Sequence, residues 1–503
     1  MAGILGKDKI CAVVAGRDAR DAARQLVRGV RETRTVELRL DWMRRRGEIR
    51  RFLRWLAGKK GKTVRRGATL IATCRRRVAG GKFGGGIKDQ GEILREAGRA
   101  GCAWLDIELE SAEKISKQEF AALKSEAKIL VSYHDFKKTP ANLERVRARL
   151  LRVRGEAIKI AVQAESYRDA GRLLDLGRAN SQVVTIPMGE VGAAARILAL
   201  RGESELAYAP VEGATAPGQV VLSAMKTIYR AERVNRRTKV YGVIGNPIHH
   251  SLSPVMQNAA FQARGINAVY LPFFVRDLRD FLDAVPQLGV AGFSVTIPHK
   301  QAIVKYLDDC DPLAAEIGAV NTVVVRGGGK LFGYNTDYIG VLRGLGNRIS
   351  LAGSCVLILG AGGAARAVAF ALARAGAVVR VCARRPAKAK ELARAVGGEA
   401  IATEQVRGEF FDAIVNATPV GMYPNAGESP LAASELNCRL VFDSIYRPQR
   451  TKLLQLAERR GIETVSGVEM FLAQGMAQWE IWTGERAPEG VMRRAVEVAL
   501  GEK

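Results

Sequence analysis

The chain has 503 residues, 48 % hydrophobic and 26 % charged, an ordinary globular balance that excludes wholesale disorder. No apolar run approaches the roughly 18 residues of a membrane-spanning helix, so membrane insertion is not expected. Lysine and arginine outnumber aspartate and glutamate 78 to 51, a net charge of +27. That excess is spread as arginine along helical stretches such as 17–34, with no aromatic residues interleaved for base stacking. It reads as a solvated basic surface rather than a nucleic-acid interface.

Seven cysteines (11, 74, 102, 310, 355, 382 and 438) stand singly, with no CxxC pair. They read as thiols in a reducing compartment and offer neither a disulfide framework nor a metal site. The N-terminus lacks the long apolar core of a secretory signal, and a cytoplasmic protein is expected. At roughly 150 residues per domain, the length suggests two to four domains.

In chain order, short β-branched runs predict strands at 9–16, 35–41, 69–75, 103–109, 128–135, 157–162, 183–188 and 205–211. Helical patterns lie between them, and a last helix is expected at 218–232. Parallel βαβ units repeated eight times in about 230 residues match the size of a (β/α)8 barrel. The polar stretch RVNRRTK (233–239) reads as a linker, giving a first domain over 1–235 that is expected to fold alone.

Barrel chemistry sits at the C-terminal ends of the strands, so polar residues there are candidates. Glu37 and Arg39 alternate in step with Asp41; Arg75, Asp106, His134 and Lys159 occupy later strands. A lone lysine in an apolar strand is either a salt-bridged core residue or a desolvated nucleophile that forms a Schiff base with a carbonyl. His134, on the preceding strand, is either a satisfied core histidine or a proton carrier.

The segments ELRLD (37–41), TCR (73–75), LDIEL (105–109), SYHDF (132–136), IKIA (158–161), MGEVGAAARIL (188–198) and TAPGQ (215–219) together resemble a type I 3-dehydroquinate dehydratase. The resemblance implies Lys159 as the Schiff-base lysine, His134 as general acid and base, and Arg196 as a carboxylate clamp. Glu37, Arg39, Arg75, Thr215 and Gln219 would hold the ring hydroxyls and the carboxylate. The sequence departs from the family at Ala79, where a glutamate is usual, and at Ala195, where serine is usual.

The second half predicts strands at KVYGVIG, AVYLPF, VAGFSVTIP and NTVVV, alternating with helices, in a substrate lobe over 236–340. A second lobe over 341–503 opens with a strand running into Gly360-x-Gly362-x-x-Ala365 and an alanine-rich helix. Strand, small-residue turn and helix in register are what a dinucleotide pyrophosphate requires. The following strand ends in Arg384-Arg385 rather than an acid, which favours a 2′-phosphate and hence NADP; two surface arginines are the plainer alternative.

NPIHHSLSP (246–254), GFSVTIPHK (292–300), IGAVNT (317–322), GYNTD (333–337), NATPVGM (416–422), DSIYRPQRTKLL (443–454) and SGVEMFLAQG (466–475) resemble shikimate dehydrogenase. By that resemblance Ser251 and Ser253 hold the substrate carboxylate, and Thr296, Asn321, Asp337 and Gln474 hold its hydroxyls. Lys300 and Asp337 form the catalytic pair, and Tyr446 lines the junction of substrate and nicotinamide. Gly360, Ala361, Gly362, Gly363, Ala364, Arg384, Arg385, Thr418 and Gly467 form the cofactor set. His249 and His299 are read as structural. The cofactor loop reads Ala383-Arg384-Arg385 where the family usually has Asn-Arg-Thr.

The expected architecture is therefore α/β throughout: an N-terminal barrel, then a two-lobed dehydrogenase with a Rossmann NADP lobe. The product implied for the first half is the substrate implied for the second, an order that resembles the fused enzyme of plants, here without a transit peptide. Two rivals remain: a quinate/shikimate dehydrogenase in the second half, or one half as a degenerate module. Oligomeric state is left open.

Overall fold

The computed structural model describes all residues except 1–4, 7, 180–182, 203, 214–217, 347, 424 and 502–503. By internal contacts the chain divides into Met1–Lys239 with Asn267–Gly289, and Val240–Ile266 with Val290–Lys503.

In the first unit the eight strands are β1 (Ile10–Val14), β2 (Thr35–Arg39), β3 (Thr69–Thr73), β4 (Trp104–Glu108), β5 (Lys128–Asp135), β6 (Ala157–Gln163), β7 (Val183–Met188) and β8 (Ala207–Pro210). They run in the order β7-β6-β5-β4-β3-β2-β1-β8, and β1 pairs in parallel with both β2 and β8. The sheet therefore curls into a nearly closed barrel. Its interior is filled by Cys11, Val13, Ile71, Trp104, Leu130, Ala157, Val184, Leu206 and Tyr208, contributed by alternate positions on the strands. The register sets Thr73 opposite Asp106 and Ser132 opposite Lys159, which gathers the polar residues at one level. The expected helix at 218–232 is instead a short helix, Leu222–Thr227, and a 3-10 turn, Ala231–Arg233. Arg230 between them has φ +43°, a left-handed conformation that interrupts helical hydrogen bonding.

This unit also holds residues from beyond the linker. The ring of Tyr167 meets Phe281 edge-on at 5.1 Å, and its hydroxyl donates to the Phe274 carbonyl at 2.9 Å.

In sequence order the strands that follow are β9 (Lys239–Gly245), β10 (Ala268–Phe274), β11 (Val290–Val295), β12 (Asp309–Cys310), β13 (Thr322–Val325) and β14 (Leu331–Tyr334). They form one sheet in the order β10-β9-β11-β13-β14-β12. Simple alternation with helices does not hold here: β13 and β14 are an antiparallel hairpin. Gly328 (φ +74°) and Gly329 (φ +80°) make its turn, a conformation for which glycine is the least strained residue.

The last sheet contains β15 (Cys355–Leu359), β16 (Val378–Cys382), β17 (Glu399–Ala400), β18 (Phe411–Asn416), β19 (Cys438–Asp443) and β20 (Glu463–Val465), all parallel, in the order β17-β16-β15-β18-β19-β20. That is the doubly wound Rossmann order, with its crevice at the switch between β15 and β18. Both faces are covered. Val356 and Ile358 pack into one core, Leu357 and Leu359 into the other.

All seven cysteines are free thiols; Cys11, Cys74, Cys102 and Cys382 are buried, and Cys310, Cys355 and Cys438 partly exposed. No helix among the described residues is long and apolar enough to cross a membrane, and no cluster of potential metal ligands is present among them.

Candidate active sites

In the barrel, Lys159 is almost wholly buried, and its amine is ion-paired with Asp106 and lies 3.4 Å from Glu37. Asp106 also accepts from Ser132 Oγ (2.5 Å), Thr73 Oγ1 (3.3 Å) and Arg75 (3.3 Å), and Thr73 donates to Glu37 at 2.8 Å as well. Two carboxylates thus face two cations, so the cluster is close to neutral despite its burial. Burial alone would raise the Asp106 carboxyl, but Lys159 and Arg75 outweigh it and hold the group below its usual range. The Lys159 ammonium also sits 4.8 Å from the ring centre of Tyr208, within reach of a cation–π interaction.

Arg39 is bound bidentately by Asp41, at 2.9 Å on both sides. His134 follows Ser132 on the same face of β5. Burial, and then Arg75, Lys159 and Arg39, keep its imidazole well below the usual range, so the ring is neutral; its Nδ1 has no hydrogen-bond partner among the described residues. Arg196, on helix Gly189–Leu198, is buried and donates to the Pro187 carbonyl at 3.0 Å. Among the described residues no carboxylate pairs with it, and burial lowers its pKa to about 10. A buried guanidinium without an anion is poised for one. Gln219 is half-buried just after Gly218, Ala79 ends a short 3-10 turn (Arg77–Ala79), and Thr215 lies outside the described residues.

In the second unit, Lys300 and Asp337 form an ion pair at 2.6 Å, and Asn321 donates to the other oxygen of Asp337 at 2.8 Å. Asn321 is held in turn by Thr336, whose backbone N–H donates to its side-chain oxygen at 2.8 Å. Thr336 Oγ1 reaches the Gln474 carbonyl at 3.1 Å, so Asn321, Asp337 and Gln474 share one network. Ser253 opens helix Ser253–Arg264, and its backbone N–H donates to Ser251 Oγ. Tyr446 stacks on Phe471 with ring centres 4.3 Å apart; burial raises its hydroxyl, against hydrogen bonds from Leu252 and Ser251. Thr296 is half-buried just past β11, its N–H bonded to the Ile244 carbonyl. His299 is buried beside it.

Gly360 (φ +111°) turns the chain after β15, and Gly362 caps helix Gly363–Arg374 with no side-chain capping bond. A Cβ on Gly362 would meet nothing, so the helix N-terminus, with its unpaired N–H groups, opens to solvent. A Cβ on Gly363 would lie 2.9 Å from Lys300 Cβ, which puts this turn directly against the Lys300–Asp337 pair. Ala361 and Ala364 flank it, both half-buried. Arg384 and Arg385 are exposed just past β16, and neither joins an ion pair among the described residues. Thr418 Oγ1 donates to Asn416 at 2.7 Å beyond β18, and Gly467 begins helix Gly467–Thr483 against the Ser444 carbonyl. An open helix N-terminus, glycines where side chains would obstruct, and two unpaired arginines beyond the second strand fit a dinucleotide bearing a 2′-phosphate.

For several members of these sites the sequence gives the position but not the partner. Asp106 stands in a strand pattern, but its pairing with Lys159 follows only from barrel closure. Tyr208 and Ser132 read as core and strand residues. Asn416, Asp443 and Thr451, joined under the cofactor groove, are far apart in sequence.

Known families match along the chain: type I 3-dehydroquinase over residues 10–236, the shikimate dehydrogenase substrate binding domain over 243–323, and the shikimate 5'-dehydrogenase C-terminal domain over 467–497. Residues 355–443 match a family of NADP oxidoreductases described as coenzyme F420-dependent. The chain is 36 % identical over 480 residues, 90 % of its length and 78 % of the other's, to the chloroplastic bifunctional 3-dehydroquinate dehydratase/shikimate dehydrogenase of Arabidopsis thaliana. Its second half is 46 % identical over 272 residues, 53 % of this chain and 98 % of the other, to the shikimate dehydrogenase (NADP(+)) of Thermococcus kodakarensis. A crystal structure of a shikimate dehydrogenase in complex with NADP+ superposes with TM-score 0.50 at 40 % identity, covering 53 % of this chain and 97 % of that one. With both lysine centres in place and this likeness along nearly its whole length, the chain belongs to the family of bifunctional 3-dehydroquinate dehydratase/shikimate dehydrogenases.

Proposed function

We infer that the chain catalyses two consecutive shikimate-pathway steps: dehydration of 3-dehydroquinate to 3-dehydroshikimate in the barrel, then NADPH-dependent reduction to shikimate in the second unit. The observation that carries this reading is the presence of two separate lysine centres, one sealed among carboxylates and one set against a dinucleotide turn.

In the barrel, the Lys159 amine attacks the ketone and water leaves, forming an iminium that keeps the positive charge of the lysine. Glu37 and Asp106 therefore stabilise the centre before and after bond formation. His134, neutral, takes the proton next to the iminium carbon; the ring hydroxyl then leaves as water, with His134 returning the proton. Hydrolysis of the iminium frees Lys159. Arg196 holds the carboxylate, and Arg39, Arg75, Thr215 and Gln219 orient the ring.

In the second unit NADPH, when bound, supplies hydride to the ketone carbon. Lys300, held by Asp337, stands beside the ketone oxygen and gives it a proton as negative charge develops. Ser251 and Ser253 bind the carboxylate; Thr296, Asn321 and Gln474 bind hydroxyls, and Tyr446 packs where substrate meets cofactor. The turn Gly360–Ala364, Gly467 and Thr418 would hold the cofactor, and Arg384 and Arg385 would pair with its 2′-phosphate. The two activities divide near 235/236, and the free thiols suit a reducing cytoplasm. A single assay tests the reading: purified chain given 3-dehydroquinate and NADPH should yield shikimate with stoichiometric NADPH oxidation. Accumulation of 3-dehydroshikimate, or no turnover, would refute one half or both.

A further inference from the structure

Asp443, the last residue of β19, is fully buried, yet among the described residues no cation pairs with it. Its Oδ1 accepts from Asn416 Nδ2 (3.0 Å) and from the Ile445 backbone N–H (3.0 Å); its Oδ2 accepts from Thr451 Oγ1 (2.6 Å). Two of these partners lead to loops at the C-terminal ends of β18 and β19, and the third leads to a helix cap. Asn416 accepts from the backbone N–H and the hydroxyl of Thr418, at 3.0 and 2.7 Å, and so fixes the loop after β18. Ile445 precedes Tyr446, which stacks on Phe471 and is hydrogen-bonded to Ser251 on the substrate side. Thr451 caps helix Lys452–Arg459 by accepting from the Leu454 N–H.

Burying a carboxylate with no counter-ion is unfavourable, and here it pushes the Asp443 pKa up to about 6. An asparagine would supply the same two acceptor bonds at Oδ1 without that penalty. What the side chain does here is geometric: through Oδ1 it joins two loops that are otherwise separate in sequence. The carboxylate accepts three donors at once, two of them from the loops through Oδ1 and one from the helix cap through Oδ2.

We propose that Asp443 is a positioning residue for the reduction, tying the Thr418 loop to the Tyr446 loop so that cofactor and substrate contacts are held in one register. This rests on the dehydrogenase reading of the second unit. Asp443 touches neither substrate nor cofactor and acts through Asn416 and Ile445.

The full chain is titrated with NADPH by fluorescence and assayed for both activities, as wild type, Asp443→Ala and Asp443→Asn. Asp443→Ala should weaken NADPH binding about ten- to a hundredfold and raise KM for NADPH alike, with dehydratase turnover unchanged. Asp443→Asn, which keeps the bonds at Oδ1, should recover binding to within about threefold of wild type. If Asp443→Ala does not fold, Asp443→Ser, which withdraws the acceptors from both loops, should show the same weakening. Wild-type affinity in the alanine or serine variant would overturn the proposal, as would an asparagine variant no better than alanine. No NADPH binding by the wild type would overturn the dehydrogenase reading itself, and this inference with it.

Discussion

The two lysine centres solve opposite problems with the same side chain. Lys159 is 2 % exposed and has two carboxylates within reach; Lys300 is 16 % exposed and has one. A lysine that forms a covalent bond to substrate carries its charge into the intermediate, so a dry cage of fixed anions serves both states. A lysine that only donates a proton must regain it each turnover, and contact with solvent and a single aspartate suffices. Under the proposed roles, exposure and carboxylate number separate the two lysines better than residue type.

The largest expected effect breaks the barrel side of this contrast. Lys159→Ala should abolish dehydration while 3-dehydroshikimate reduction continues, and borohydride with 3-dehydroquinate should leave an adduct on Lys159, found by peptide mass spectrometry. An active enzyme with Lys159 unlabelled would end the Schiff-base account. The same treatment should leave Lys300 unmodified.

A smaller effect sharpens the other side. A charge-assisted bond to a 2′-phosphate is worth about 1.5–3 kcal/mol, so removing Arg384 alone should lower kcat/KM for NADPH by about ten- to a hundredfold, and removing Arg385 as well should lower it further. NADH, which lacks the phosphate, should be nearly unaffected, and each single variant should show part of the loss. Retained NADPH preference in the double variant would make these arginines mere surface charge.

The smallest effect is one of shape. Because burial and three cations hold the His134 pKa below its unfolded value, the ring stays neutral as pH falls through the usual histidine range near 6.5. The unfolded chain takes up that proton first, so the contribution of His134 to stability is present at neutral pH and is lost on acidification. The acid limb of dehydratase kcat/KM should accordingly lie below 6.5, whereas an acid limb at or above it would show His134 to be unperturbed.

Strand placement was legible because parallel strands covered on both faces leave unbroken β-branched runs; β7 (Val183–Met188) has the expected limits. Both lysines stood out too, since Lys159 interrupts such a run and Lys300 ends a recognisable motif, and each has a carboxylate partner in the structure. What was hidden depends on contacts between distant positions. The β13–β14 hairpin escaped notice because GYNTD reads as a motif before it reads as a strand. The balance of Glu37, Asp106, Lys159 and Arg75 needs barrel closure to exist. The bond from Tyr167 to Phe274 spans 107 residues, and no local pattern foretells that Asn267–Gly289 groups with the barrel.

The distribution of thiols gives the molecule a chemical handle on one side only. Cys11, Cys74 and Cys102 are buried in the barrel, and burial raises all three, Cys102 to about 12. The partly exposed thiols, Cys310, Cys355 and Cys438, all belong to the second unit. Burial also raises Cys310 and Cys438, the latter to about 11, but these thiols are reachable from solvent. A mild dose of alkylating agent or maleimide dye should therefore label the reducing half slowly and spare the dehydrating half. A fluorophore placed this way reports on one enzyme while the other, on the same polypeptide, serves as its untouched reference.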